Sequence, residues 1–164
     1  MKKFLYEIKD YIIIVVAVIL IRSFIVTPAV VDGASMDDTL KDGQLIIINK
    51  INYRFNDPKR FQIVVVKNEK ESDKIIKRII GLPGETIEYK DNVLYINDKK
   101  IDEPYEHAIT EDFKVTVNDD EYFVLGDNRI VSKDSRILGG FKKKDLIGNV
   151  NIRIYPFDKI GKIK

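Results

Sequence analysis

The sequence predicts a mostly β, antiparallel and barrel-like fold with one apolar helix at its N-terminus. Beyond the apolar stretch, short runs rich in β-branched residues alternate with turn-forming pairs, which is typical of antiparallel strands. No segment there has the 3.6-residue periodicity of a long amphipathic helix. A chain of 164 residues suits one domain and an extra segment, with no room for a second large core.

The apolar stretch covers residues 11–26, where Arg22 is the only charged residue. A helix of this length measures about 24 Å, somewhat less than the roughly 30 Å of a hydrocarbon core. Arg22 lies near the end of the stretch, where its side chain can reach the membrane interface. A cleavable signal peptide is the alternative, but no good Ala-x-Ala site follows the stretch. We therefore predict a membrane anchor.

The charges on either side of the anchor predict its orientation. Three lysines precede it, whereas the first charges beyond it are aspartates. By the positive-inside rule, the N-terminus lies in the cytoplasm and the rest of the chain outside. Pro28 is expected to end the helix. The predicted organisation is a cytoplasmic N-terminus at residues 1–10, a single-pass transmembrane anchor in the lipid bilayer at 11–27 and an extracytoplasmic domain at 28–164.

The extracytoplasmic part contains several short apolar runs that favour strands. Asp91-Asn92 and Asn97-Asp98 predict tight hairpin turns, and Pro83-Gly84 fits a type II turn. The predicted strands cover residues 44–48, 61–66, 74–80, 86–89, 93–96, 122–125 and 150–155.

The composition excludes several functional classes. The chain has 28 basic and 26 acidic residues, and the basic residues are dispersed, which gives no support to nucleic-acid binding. Cysteine is absent, so disulfides and thiolate metal sites are not available. We expect neither a cofactor nor a metal ion.

Three separate segments, 33–40, 77–78 and 126–136, carry the residues suited to one catalytic site. A serine nucleophile needs a base, and histidine is the usual one. The single histidine, His107, lies in an acidic stretch far from any suitable serine. A lysine in an apolar strand is the other chemical option, and Lys77 occupies such a strand.

Lys77 shares one face of its predicted strand with Ile75 and Ile79, because alternate residues of a strand point the same way. Burial disfavours the ammonium form and lowers the pKa of a fully buried lysine by about 3–5 units. Such a lysine is able to take a proton from a serine. On spacing alone, Lys77 also fits an edge-strand lysine that reaches solvent, and Ser35 fits a turn residue.

The three segments resemble the sequence boxes of type I signal peptidases. Residues 35–40, Ser-Met-Asp-Asp-Thr-Leu, are similar to the family's Ser-Met-x-Pro-Thr-Leu box. Residues 74–85 are similar to its lysine box, and residues 126–136 to its Gly-Asp-Asn-Arg box. The order of the boxes and the preceding anchor also match, so the resemblance runs from about residue 11 to the end. It implies a signal-peptidase catalytic fold, which is mostly β.

The resemblance also implies roles for single residues. Ser35 corresponds to the acylating nucleophile and Lys77 to its general base. Gly33 stands where some members carry a serine donor, so backbone N–H groups alone would bind the oxyanion, as in Gram-positive-type members. The remaining implied roles are orientation of the lysine amine by Ser132, a supporting ion pair of Asp134 with Arg136, bracing of the loop by Asp127 and Arg129, and substrate pockets lined by Val31 and Ile76.

Asp38 departs from the family pattern, which has proline at this position. Proline fixes φ and shapes the turn after the nucleophile, whereas Asp38 leaves that turn less constrained. Its carboxylate also lies three residues from Ser35. If it lies close to Lys77, we expect it to raise the pKa of the amine.

The expected function is the removal of N-terminal signal peptides from exported preproteins by a membrane-anchored serine endopeptidase, a signal peptidase I. The expected partners are preproteins and the lipid bilayer, with the secretion translocon as a further candidate. Two alternatives remain: a Ser-Lys peptidase for one class of secreted substrate, and a non-catalytic anchored module that binds translocated chains.

Overall fold

One N-terminal helix followed by antiparallel sheets makes up the fold in the computed structural model, which describes residues 2–68 and 73–163, with side chains from residue 8 onward. The α-helices of these ranges are α1 (Lys2–Phe24), α2 (Asn52–Phe55) and α3 (Ser135–Leu138). The strands are β1 (Val26–Val30), β2 (Leu45–Asn49), β3 (Ile63–Asn68), β4 (Asp73–Gly81), β5 (Thr86–Lys90), β6 (Val93–Ile96), β7 (Lys99–Ile101), β8 (Phe113–Thr116), β9 (Glu121–Leu125), β10 (Phe141–Lys142), β11 (Leu146–Tyr155) and β12 (Gly161–Lys162).

The strands form two sheets. The larger has eight strands in the order β1-β2-β11-β3-β4-β9-β10, with β12 paired to β11; the smaller has the order β7-β6-β5-β8. The pairings are antiparallel, so the mostly β, antiparallel prediction is confirmed. The predicted barrel-like closure is wrong for the described strands, because β1 and β10 end the larger sheet without pairing to each other. The β10 strand has two residues and pairs with β9.

The helix α1 is continuous from Lys2 and ends at Phe24, so the predicted end of the helix at Pro28 is wrong. Pro28 lies in β1, opposite Ile47 of β2. Proline lacks an N–H group and is tolerated in an edge strand, where that group needs no partner. Residues 26–27 therefore belong to the sheet. No helix in the described part of the chain is both long enough and apolar enough to span a membrane.

Among the described residues, three clusters of buried apolar side chains hold the sheets together. The first includes Met36 and Leu40, which are 1% and 0% exposed, together with Ile63 and Val65 of β3. Met36 and Leu40 lie in the loop that follows β1. Burying side chains of this size stabilises their positions by about 1.5–3 kcal/mol each. This loop, which carries Ser35, is therefore fixed to the core.

The hairpin predictions are confirmed. Asp91, Asn92, Asn97 and Asp98 all have positive φ, between 50° and 63°. Two consecutive residues of positive φ are typical of type I′ turns, whose twist matches that of paired strands. These turns connect β5 to β6 and β6 to β7 in the smaller sheet.

Candidate active site

Ser35 and Lys77 lie side by side in the folded chain. Lys77 Nζ is 2.6 Å from Ser35 Oγ, within hydrogen-bond distance. Ser35 belongs to the loop after β1, and Lys77 lies in β4, where it is paired with Val64 of β3. A hydroxyl and an amine at this distance can exchange a proton directly.

Lys77 is buried, with 2% of its surface exposed. Burial lowers the pKa of its amine from 10.5 to about 8. The negative charges of Asp134 and Asp127 act in the opposite direction and raise this pKa, while Arg136 lowers it. Burial has the largest effect, so the amine can be neutral near physiological pH, as a general base must be.

The loop that carries Ser35 is held by hydrogen bonds on both sides of the nucleophile. The backbone N–H of Asn128 donates to the Ser35 carbonyl at 3.1 Å, which joins this loop to the loop after β9. The Gly33 N–H donates to Asp42 Oδ1 at 2.9 Å. Gly33 has φ +89°, a conformation that favours glycine. Outside residues 32–34, no atom of the described residues lies within 4 Å of the point that a Cβ of Gly33 would occupy, so a substrate can approach the backbone here.

Asp127 lies beneath the site and is completely buried. Its carboxylate accepts two hydrogen bonds from Arg78, from Nε at 2.9 Å and from Nη2 at 2.7 Å, and a further one from the Thr39 hydroxyl. Arg78 follows Lys77 in β4 and is 3% exposed. The ion pair thus connects the lysine strand, the serine loop and the loop after β9.

Asp134 and Arg136 form an ion pair, with Asp134 Oδ2 2.9 Å from Arg136 Nη2. Asp134 also accepts a hydrogen bond from the backbone N–H of Gly126 and caps the N-terminus of α3. Arg136 donates to the carbonyl of Arg129 at 2.6 Å. These contacts tie the two ends of the 126–136 loop together.

Ser132 is buried against the site, but its hydroxyl makes no hydrogen bond within the described residues. The expected contact with the Lys77 amine is therefore not formed here. Ser132 Oγ and the Ser35 carbonyl both crowd the space beside Gly126, where a Cβ would contact each of them. Ser132 thus lies next to the residue that carries the nucleophile.

His107 and Asp38 do not belong to this constellation. His107 Nε2 lies 2.9 Å from Glu103 Oε2, and its Nδ1 is 2.8 Å from the Ala108 carbonyl. Asp38 is exposed, and the charges that act on Lys77 are those of Asp134, Asp127 and Arg136. The expected influence of Asp38 on the lysine is therefore not found.

A cleft of about 280 Å³ leads to the Ser35–Lys77 pair, and Val31 and Ile76 both line it. One side is formed by β1 and the loop after it, and the other by residues 73–77 of β4. Among the described residues each side has a free edge: β1 pairs only with β2, and residues 73–77 of β4 pair only with β3. An extended peptide in the cleft can therefore pair with backbone on either side.

Comparison with known proteins identifies the family of this chain. The profile of the family described as "Signal peptidase, peptidase S26" matches residues 5–155. The chain belongs to this family. It is 46% identical to a signal peptidase I of Bacillus amyloliquefaciens, with 95% of this chain and 90% of the relative covered. It is 39% identical to a signal peptidase IB of Staphylococcus aureus, with 88% and 85% covered.

A solved structure supports the fold of this peptidase. A crystal structure of a signal peptidase I from Enterococcus faecalis V583 matches with a TM-score of 0.52 and 36% identity. The match covers 57% of this chain and 97% of the other. The antiparallel architecture is thus shared with a solved member of the family.

Arg78 is the main residue of this S26 peptidase site for which sequence reasoning assigned no role. Alternation along β4 places it on the face opposite Lys77, and no pattern indicated that this face is covered. The usable signal was the pairing of charges: a buried arginine needs a carboxylate, and Asp127 in the third box supplies one. Gly126 is the first residue of the third box. Its close approach to Ser35 and Ser132 depends on the tertiary fold, so the sequence alone does not predict it.

Proposed function

We propose that this S26 peptidase removes signal peptides from exported preproteins through a dyad of Ser35 and Lys77. The observation that carries the proposal is the 2.6 Å distance between Lys77 Nζ and Ser35 Oγ. Burial of the lysine supports it, because a neutral amine is required to accept the serine proton. His107 has no part in it, since its imidazole pairs with Glu103.

In the acylation step, neutral Lys77 takes the hydroxyl proton as Ser35 Oγ attacks the scissile carbonyl carbon. The carbonyl oxygen becomes an oxyanion, and the backbone N–H of Ser35 is its proposed donor. This N–H makes no hydrogen bond within the described residues. The protonated amine of Lys77 then gives its proton to the leaving nitrogen, and the ester on Ser35 remains.

Deacylation reverses the same proton transfers. Lys77, neutral again, takes a proton from a water molecule, which attacks the ester carbonyl. Collapse of the second tetrahedral intermediate returns the proton to Ser35 Oγ and releases the signal peptide with a free carboxylate. One amine therefore serves both half-reactions, as one histidine does in Ser-His enzymes.

The supporting residues are proposed to keep the dyad in position. Asp127, held by Arg78 and Thr39, fixes the serine loop against β4. Asp134 holds the Gly126 N–H and Arg136. The hydroxyl of Ser132 is buried and has no hydrogen-bond partner in the described part of the chain, so it is available to accept a hydrogen bond from the lysine ammonium during turnover.

We propose that the substrate lies extended in the cleft between β1 and β4, with its −1 and −3 side chains pointing into it. Val31 and Ile76 line the cleft and are branched. Such side chains leave space for alanine, whereas leucine or phenylalanine would collide with them. This arrangement explains a preference for small residues before the cleaved bond.

We further propose that the apolar part of α1 anchors the chain in the cell membrane, with the N-terminus in the cytoplasm and the sheets outside. The side chains of this part are exposed although they are large and apolar. The end of the helix is tied to the sheet, because the Thr27 hydroxyl donates to the Arg22 carbonyl at 2.8 Å. Lipid is therefore a proposed partner, and the secretion translocon is a further candidate. If alkaline carbonate extracts the chain from cell membranes, the anchor is refuted.

The proposed reaction is tested with the full chain in detergent and a preprotein that carries an Ala-x-Ala cleavage site. We expect a product whose new N-terminus follows that site, and no product with Ser35→Ala or Lys77→Ala. His107→Ala is expected to retain cleavage. A covalent acyl adduct on Ser35 distinguishes the enzyme from a non-catalytic binding module. A folded His107→Ala variant without activity would refute the dyad, and a panel of preproteins distinguishes broad from narrow specificity.

A further inference from the structure

We propose that Tyr105 and Glu103, in the segment between β7 and β8, are positioning residues for the general base. By holding Arg78 against Asp127, they fix the charges that surround the Lys77 amine. The inference rests on the proposed role of Lys77. It gives a function to the acidic stretch that contains the single histidine and that no catalytic box includes.

The segment between β7 and β8 contacts the catalytic loop directly. The backbone N–H of Ala108 donates to the Asp127 carbonyl at 3.0 Å. Arg129 Nη1 donates to the Thr110 hydroxyl, and its Nη2 to Glu103 Oε1 at 3.2 Å. The segment between β7 and β8 is therefore joined to the loop after β9 at Asp127 and at Arg129.

Tyr105 covers the guanidinium of Arg78. The Arg78 Cζ lies 3.8 Å from the centroid of the Tyr105 ring, a close cation–π arrangement. At its edges the guanidinium donates to both oxygens of Asp127 and to the Phe61 carbonyl. The Tyr105 ring thus covers one face of the guanidinium while Asp127 binds its edge, and the ring shields the ion pair from water.

Glu103 holds the Tyr105 ring in this place. Its Oε1 accepts hydrogen bonds from the hydroxyls of Tyr105 and Tyr89 and from Arg129, and its Oε2 pairs with His107. Burial raises the pKa of Glu103, but the bonds from His107 and the two tyrosines outweigh it and lower the pKa to about 2. The carboxylate is therefore ionised at any working pH and keeps its capacity to accept these bonds.

The chemical consequence concerns the charges around Lys77. The charges of Asp134 and Asp127 raise the pKa of its amine, and the charge of Arg136 lowers it. Arg78 offsets the charge of Asp127 by pairing with it. If the Tyr105 ring is lost, Arg78 can move and water can enter. Less compensation of Asp127 and less burial of Lys77 both favour the ammonium form, so both raise the pKa of the lysine.

The test is the pH profile of kcat/KM for Tyr105→Leu, with the full chain in detergent and an Ala-x-Ala preprotein. We expect the acid limb to move to higher pH by about one unit, and activity below the limb to fall by about tenfold. Tyr105→Phe keeps the ring and loses only the bonds of the hydroxyl, so its shift should be smaller. Glu103→Gln should shift the acid limb in the same direction. If Tyr105→Leu does not fold, the pH profile of Glu103→Gln tests the inference in its place.

Phe113→Leu is the matched control. The Phe113 ring packs on Tyr89 and Phe123 in the same region, whereas the ring that lies over Arg78 is that of Tyr105. It should lower the thermal stability while leaving the acid limb in place. If folded Tyr105→Leu or Glu103→Gln keeps the wild-type acid limb, the inference is overturned and the proposed function stands. If the wild type does not cleave, or Lys77→Ala does, the proposed function itself fails.

Discussion

Lys77 Nζ lies 2.6 Å from Ser35 Oγ, although 42 positions separate the two residues along the chain. Their elements are also separated in the sheet, where β2, β11 and β3 lie between β1 and β4. The contact forms because the loop after β1 buries Met36 and Leu40 in the same cluster as residues of β3. The dyad is therefore a product of core packing, and its geometry depends on how rigidly that loop is held.

The pH dependence of cleavage should follow the Lys77 amine, whose pKa is lowered by burial to about 8. Below this pH the amine is protonated and cannot take the serine proton. We expect kcat/KM to fall about tenfold per pH unit on the acid side and to level off above about pH 8. The measurement is a pH profile with one preprotein.

The matched variant for this profile is Asp38→Asn. Asp38 is exposed, and its charge is not among those that act on Lys77. The acid limb should therefore stay in place when the carboxylate is replaced. A shift to lower pH would mean that Asp38 reaches the amine during turnover, as its position near Ser35 suggested.

Burial of Lys77 should also reduce the stability of the fold in a defined pH window. The folded pKa, about 8, lies below the value of 10.5 for the free side chain, so between them the unfolded chain binds more protons. Below pH 8 the full cost, about 3 kcal/mol, destabilises the folded state. As the pH rises towards 10.5 this cost disappears, so stability increases with pH.

Lys77→Met isolates this effect, because it removes the charge and keeps an unbranched side chain that is only one atom shorter. The variant should be more stable than the wild type at pH 7, by up to about 3 kcal/mol. The difference should shrink as the pH rises from about 8 to 10.5. The measurement is the free energy of unfolding in urea at several pH values. A difference that does not change with pH would show that Lys77 is charged in the folded state throughout.

Much of the fold was predictable from local chemistry. Asp91-Asn92 and Asn97-Asp98 determine their turns because these residues tolerate positive φ, and β6 lies at the predicted residues 93–96. The β1 strand was missed because Pro28 was interpreted as the end of the helix. Proline is tolerated in an edge strand, but which strand lies at the edge depends on the pairing of strands that are distant in the sequence. Barrel closure depends on the same long-range pairing, so neither feature could be predicted from local sequence.

The candidate site was predictable where chemistry restricts the choice of residue. The single histidine lies far in the sequence from any suitable serine, so a serine nucleophile needs another general base. This argument predicted Lys77. The role of Arg78 depends on contacts with Asp127 and Tyr105, which come from two different loops. Strand alternation predicts on which face of β4 the Arg78 side chain lies, but the residues that cover this face depend on the tertiary fold.

Ile76 is the residue at which the specificity of the cleft can be changed. It is only partly buried and lines the cleft, whereas Val31 is 3% exposed and belongs to the core. Ile76→Ala should enlarge the pocket and reduce the preference for alanine over leucine at the −1 position by about tenfold or more. The measurement is kcat/KM for a pair of preproteins that differ at −1.

Ile130→Ala, at an exposed position outside the cleft, should keep the preference. An unchanged ratio in Ile76→Ala would place the −1 side chain elsewhere.

Gly126 is expected to tolerate no side chain, because of what surrounds it and not because of its φ. A Cβ at this position would lie well inside van der Waals contact with the Ser35 carbonyl oxygen and the Ser132 hydroxyl. The serine side chain can rotate, but the carbonyl belongs to the backbone that carries the nucleophile. Gly126→Ala should therefore displace Ser35 from Lys77, and a misplacement of about 1 Å lowers kcat by about 100-fold.

The Gly126→Ala/Ser132→Ala double variant separates the two contacts. It removes the Ser132 hydroxyl from the crowded space and leaves the Ser35 carbonyl in place. If the backbone contact dominates, the double variant stays as slow as Gly126→Ala in single-turnover acylation of Ser35. Recovery to the rate of Ser132→Ala alone would instead assign the effect to the hydroxyl. Thermal unfolding of each variant shows whether the loss arises in the site or in the fold. Full activity of Gly126→Ala would mean that the 126–136 loop moves away without carrying Ser35 with it, although the Asn128 N–H holds the Ser35 carbonyl.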